Sequence, residues 1–148
     1  MTAPVLVFGY GNPSRGDDAL GPELVRALEA READAIARGE LEVLTDFQLQ
    51  VEHALDLRGR RRVYFVDATT GGDALVSVRR LEPRRDASFT THAVSPEVLL
   101  HTFEEVEGQP APECFVVALR GERFELGEAL SATARAALEQ ALARDWRA

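Results

Sequence analysis

Three short runs, "VLVF" (Val5–Phe8), "VYFV" (Val63–Val66) and "CFVVAL" (Cys114–Leu119), are apolar without interruption. A strand with one wet face alternates apolar and polar residues; an unbroken run of this length marks a strand buried on both faces. Strands of that kind need helices above and below, and the intervening segments supply them. Leu20, Leu24, Ala27 and Leu28 recur at helical spacing and Pro22 suits a first turn, so regular helix is expected from about Pro22 to about Ala37. "LEVLTDF" (Leu41–Phe47) reads as a second strand, and Val51, Ala54 and Leu55 as a short helix ending near Gly59. "ALVSVRRL" (Ala74–Leu81) has the mixed pattern of a more exposed edge strand. Ser95 is a natural N-cap ahead of Pro96, with Leu99, Phe103 and Val106 forming the stripe of the helix that follows. A last helix is expected from Ser131 to Trp146, turning Ala134, Leu138, Ala141 and Leu142 inward.

Strands alternating with helices imply an α/β fold: a single three-layer domain over residues 1–148, with a mostly parallel, twisted sheet of about five strands and helices on both faces. A chain of 148 residues is long enough to bury such a core. In sheets of this kind the chemistry collects at the carboxyl ends of the strands, where the strand order reverses.

Charge narrows the partners. A formal net charge of −8 argues against nucleic acid and against anionic membrane surfaces, which reward basic patches. The one local exception, Arg58, Arg60, Arg61 and Arg62, is expected to be a solvated turn ahead of a strand. A lone cysteine, Cys114, excludes an internal disulfide, and "MTAPVLVFGYG" lacks the basic start and long apolar core of a signal peptide. No apolar run is long enough to span a bilayer. A cytoplasmic protein is expected.

The first strand leads into "GYGNPSRGDDALG", a glycine turn that opens a helix. Gly9 and Gly11 match the start of a dinucleotide-binding fingerprint, but its third glycine is replaced by Ser14. Asp17 and Asp18 would also set carboxylates against a pyrophosphate. Read as ligands or helix caps, the acids make better sense: one cap accounts for one aspartate and leaves the second to be explained. Asp67 ends a strand at the same rim, and His92, in "TTHAVSP", lies on a third rim loop. Two carboxylates and an imidazole suit a borderline divalent metal such as nickel or zinc. His53 and His101 fall about 200° from an apolar neighbour two positions earlier, at roughly 100° per residue, and are expected to face solvent. Cys114 is expected to be a small core residue, and the absence of a G-x-S-x-G elbow argues against a serine nucleophile.

"VFGYGNPSRGDDALGPELVRALE", "VYFVDAT" and "TTHAVSPEVLL", in that order, resemble the nickel–iron hydrogenase maturation endopeptidases, as do "DFQLQVEHALDL" and "LGEALSATARAALEQAL". The resemblance covers most of the chain, and the glycine–asparagine turn with its acid pair, combined with the strand-end V-D-A, is its specific part. It implies an enzyme that removes a C-terminal extension from a hydrogenase large-subunit precursor once nickel is inserted, with the nickel carried by that substrate and no organic cofactor. It also implies a metal-contacting, catalytic trio, which falls on Asp18, Asp67 and His92. Some relatives carry the histidine directly after Ser-Pro, where this chain has Glu97; His92 lies five residues earlier, as in another branch of the family. Two further readings are a zinc-dependent peptidase with another substrate and a non-catalytic nucleotide-binding module.

Overall fold

The computed structural model describes residues 2–85 and 94–147. Five strands form one sheet: β1 (Val5–Tyr10), β2 (Leu41–Asp46), β3 (Arg62–Thr69), β4 (Val76–Arg80) and β5 (Glu113–Arg120). Their order is β2-β1-β3-β5-β4. The first four in that order are parallel, and β4 closes one edge antiparallel to β5. The α/β class, the largely parallel sheet and the edge position of "ALVSVRRL" are as the sequence implies.

Helices α1 (Leu20–Arg31), α2 (Ala33–Ala37) and α4 (Ala132–Leu142) cover one face, and α3 (Pro96–Glu107) with the 3-10 segment Val51–Leu57 covers the other. Because side chains alternate along a strand, β1 feeds both layers. Val5 and Val7 pack with Leu20, Leu24, Leu28, Ala134 and Ala137, while Leu6 and Phe8 pack with Leu57, Leu99 and Phe103. Among the described residues, no helix is long and apolar enough to cross a membrane.

The single helix expected over residues 22–37 begins earlier and breaks at Glu32, whose φ of −106° and ψ of 25° leave the helical region. The stripe Leu20–Leu24–Leu28 would next need an apolar residue at 31 or 32, and the chain has Arg31 and Glu32. The break lets α2 bring Ala35 into the core. At its other end α1 lies directly on the sheet. A Cβ on Gly21 would sit 2.6 Å from the Tyr10 carbonyl oxygen and 2.9 Å from that of Val66, so only glycine lets the helix come so close.

The basic run is not simply solvated. The Arg60 side chain is 4% exposed and bonds to Glu42, to the Asp56 carbonyl and to the Ala3 carbonyl. Arg58 forks onto Glu107, and Arg62 reaches Glu113. These arginines tie the start of β3 to its neighbours.

The turn after β1 is anchored by Asp17, which is fully enclosed. Its carboxylate accepts from the backbone N–H groups of Glu122 (2.7 Å), Arg123 (3.0 Å) and Ser131 (2.8 Å), and from the Ser131 hydroxyl (2.7 Å). The same hydroxyl accepts from Ala134 N–H and caps α4. Burial alone would raise the Asp17 pKa, but the donors from Glu122, Arg123 and Ser131 outweigh it and hold the carboxyl below its ordinary value. A depressed folded-state pKa contributes stability above the ordinary carboxylate range, and that stability is lost as pH falls through the folded value. Asp17→Asn turns an amide N–H₂ against these donors and is expected to destabilise the fold by about 3–5 kcal/mol. Urea unfolding at pH 7 measures it; a loss under about 1 kcal/mol would show that the anchor is dispensable.

Candidate functional site

The carboxyl ends of β1, β2, β3 and β5 share one rim of the sheet, and Asp18 reaches it through the glycine turn. Gly11 has φ of +146°, and a Cβ there would fall 2.0 Å from the Asp18 carbonyl oxygen. The turn therefore closes tightly on Asp18, and Asn12 N–H donates to Asp18 Oδ2 at 2.8 Å. Asn12 Oδ1 accepts in turn from Ser14 N–H. The donor that a phosphate would need is thus already engaged by an acid, which weighs against the nucleotide reading. The Asp18 side chain keeps 24% exposure, with the Arg15 guanidinium 4.0 Å away. The adjacent aspartates consequently face different worlds, Asp17 the interior and Asp18 the rim.

Asp67 stands near the end of β3, and strand register sets its environment. Leu6 and Phe8 share a face with Val63 and Phe65, so two residues on, Tyr10 and Asp67 point the same way. Burial pushes the Asp67 carboxyl up to about 6; the Ala68 N–H and the Tyr10 hydroxyl pull against the rise, and the Asp18 charge adds to it. Burial first, then the Asp67 and Glu97 charges, raises the Tyr10 hydroxyl as well. Asp18 therefore acts on Asp67, Asp67 on Tyr10, and Glu97 on Tyr10. Glu97, in the first turn of α3, is drawn toward Arg79 at 3.5 Å.

His92 lies outside the described residues. Among those described, no group of three or more His, Cys, Asp or Glu side chains is placed to hold a metal ion. What the described residues offer a cation is the pair Asp18 and Asp67, the second of which burial and Asp18 hold in a state that positive charge would relieve.

His53 does not face solvent. Its Nδ1 accepts from Gln50 N–H at 2.8 Å, its Nε2 lies 3.1 Å from Asp46 Oδ2, and its ring meets Phe8 edge-on at 4.8 Å. The segment is a 3-10 helix, in which residues three apart align, so the 100° step of an α-helix does not apply to it. Ala54 and Leu57 are its buried pair, while Val51 and Leu55 are half exposed. With Nδ1 accepting, the hydrogen-bond network assigns the ring proton to Nε2, where it donates to Asp46. His101 is partly exposed and pairs with Glu105. Cys114 is buried in β5, and burial pushes its thiol up to about 12, so it is an inert core residue at neutral pH, as its sequence position implied.

Tyr10 was missed in the sequence because it reads as part of a glycine turn. Continuing the alternation Leu6, Phe8, Tyr10 beside Val63, Phe65, Asp67 would have found it.

The Asp67 shift has a definite sign. A carboxyl whose folded-state pKa is raised contributes stability below its unfolded value of 3.8, and loses it as pH rises through about 6. Asp67→Asn removes that loss. The variant should exceed the wild type in stability above pH 6, by up to about 3 kcal/mol, and match it near pH 3.5. Urea titrations at the two pH values check this, and a pH-independent difference would contradict it.

No family model matches this chain, and no curated protein does. Solved structures do. The hydrogenase maturating endopeptidase HybD of Escherichia coli superposes with a TM-score of 0.70 at 22% identity, over 96% of this chain and 88% of that one. The [NiFe] hydrogenase maturation protease HycI of Thermococcus kodakarensis gives 0.68 at 18%, over 95% and 88%. A hydrogenase 2 maturation peptidase from a Thaumarchaeota archaeon gives 0.62 at 25%, over 93% and 92%. From end to end, this chain carries the fold of the hydrogenase maturation proteases.

Proposed function

We propose that this chain is an endopeptidase that removes the C-terminal extension of a nickel–iron hydrogenase large-subunit precursor after nickel has been inserted. The observation that carries the reading is the rim arrangement of two carboxylates with divided roles. Asp18 is presented to the rim by the glycine turn, and Asp67 is strained by burial and by its neighbour's charge. The fold shared with hydrogenase maturation endopeptidases supports it, as does the match of both aspartates to the acids that the sequence resemblance implies.

On this reading the nickel belongs to the substrate. Asp18 and Asp67, joined by His92, complete a coordination sphere that the precursor has partly filled. The ion relieves the repulsion between the two carboxylates, and recognition of the metal becomes proximity of the precursor's tail to the site. Two hard oxygens and one imidazole, without a thiolate, hold free divalent ions less selectively than a closed thiolate site, so the substrate must bring the ion. The same residues also supply acid–base chemistry toward water, since a carboxyl with a pKa near 6 exchanges protons close to neutrality. The enzyme works in the cytoplasm, where precursor and metal meet.

Asp18→Asn and Asp67→Asn should each abolish processing with the fold intact. The assay follows the C-terminal mass of three substrates: nickel-loaded precursor, metal-free precursor with added zinc, and an unrelated unfolded protein. Cleavage of the first alone is expected. Equal cleavage of all three would identify a general peptidase, and loss of activity accompanied by global unfolding would make the aspartates structural.

A further inference from the structure

Arg120 is a cation at the rim end of β5 that the reading above does not use. Arg120 is the last residue of β5, and its backbone is fixed by the register Thr69↔Arg120 and by its N–H bond to the Leu75 carbonyl. The register also pairs Ala118 with Asp67. Arg120, two residues beyond Ala118, therefore leaves the sheet on the same face as Asp67 and Tyr10. Strand geometry sets its backbone about 8 Å from that of Asp67, within the span of an arginine side chain.

Its Nε is buried and, among the described residues, has no hydrogen-bond partner. The other described arginine with such an Nε, Arg144, lies over the rings of Tyr64 and Trp146, which meet its charge. Among the described residues, Arg120 has neither a ring nor a carboxylate against it. A buried guanidinium N–H without an acceptor is costly, and at a strand's carboxyl end a bound chain can supply the acceptor, the side chain turning to meet it. Nε–H and the neighbouring Nη–H form a fork that fits a carboxylate with two parallel bonds or a carbonyl oxygen with one or two.

We propose that Arg120 is a substrate-binding residue, whose guanidinium receives an oxygen acceptor of the precursor chain, a carboxylate or a backbone carbonyl, beside the bond to be cleaved. The proposal rests on the peptidase reading for the identity of the chain, but not for the presence of the acceptor site. Among the described cations near the rim, Arg15 faces Asp18 and Arg79 faces Glu97, which leaves Arg120 to orient a negatively polarised oxygen.

Two measurements on the full chain test it. The first is a ¹H–¹⁵N spectrum of the arginine Nε–H groups, with the Arg120 signal identified by its loss in Arg120→Lys. It is titrated with acetate and, separately, with N-methylacetamide. A saturable shift with acetate assigns a carboxylate, and one with N-methylacetamide assigns a carbonyl. A signal unmoved by both overturns the proposal. The second measures kcat/KM on nickel-loaded precursor for the wild type, Arg120→Lys and Arg120→Gln, with melting temperatures alongside. Losses of about ten- to a hundredfold at unchanged melting temperature are expected, with the lysine variant no better than partly active. Wild-type rates in both variants overturn the proposal. If the wild type leaves the precursor uncut, the peptidase reading falls and the spectra alone decide Arg120; if the variants unfold, the Arg120 signal is assigned by through-bond correlation to its backbone in the wild type, and the spectra again decide.

Discussion

The structure turns on a carboxylate that does no chemistry. Asp17 is enclosed, and four donors from residues 122, 123 and 131 converge on it. A buried ion satisfied in this way fixes the backbone that carries it, because any displacement strands several donors at once. The turn after β1, the segment beyond β5 and the N-terminus of α4 are thereby held in one arrangement. Everything at the rim inherits that rigidity, including Asp18, one residue further along the chain.

The same device lets one short turn do two unlike things. A buried Asp17 makes it possible to hold Asp18 near Asp67, although the two acids repel across a partly desolvated rim. Without an anchor, repulsion of that kind is relieved by letting the loop swing outward. With it, the strain remains as a raised Asp67 pKa and is available to any cation that arrives. Gly11 and Gly21 contribute by absence: no Cβ stands between α1, the turn and the strand ends, so the acids come within electrostatic range of each other.

Much of this was legible in the sequence, for reasons that can be named. The unbroken apolar runs fixed three central strands, since nothing but a doubly covered sheet accommodates them. The rim placement of Asp18 and Asp67 followed from their positions after such runs. Legibility ended where tertiary partners decide. The partners of Asp17 lie more than a hundred residues away, and no local pattern distinguishes it from Asp18. Arg60 looked like a solvated cation because its acceptors, Glu42 and the Ala3 carbonyl, are brought to it only by the sheet. His53 was misplaced by assuming α-helical spacing in a 3-10 segment, and the break at Glu32 appears only when the missing apolar residue is counted against the core. Arg120 carried no motif; its interest lies in what it fails to touch.

The central claim is that the rim holds one aspartate as a satisfied buried anion and another as a carboxyl raised by burial and like charge. Site-resolved ¹³C titration of the aspartate carboxyl carbons tests this most directly, with signals assigned by substitution. The account predicts that Asp67 titrates near pH 6 and that Asp17 stays ionised below the ordinary carboxylate range. Both groups titrating together near pH 4 would contradict it, since neither the anchor nor the strained partner would then exist.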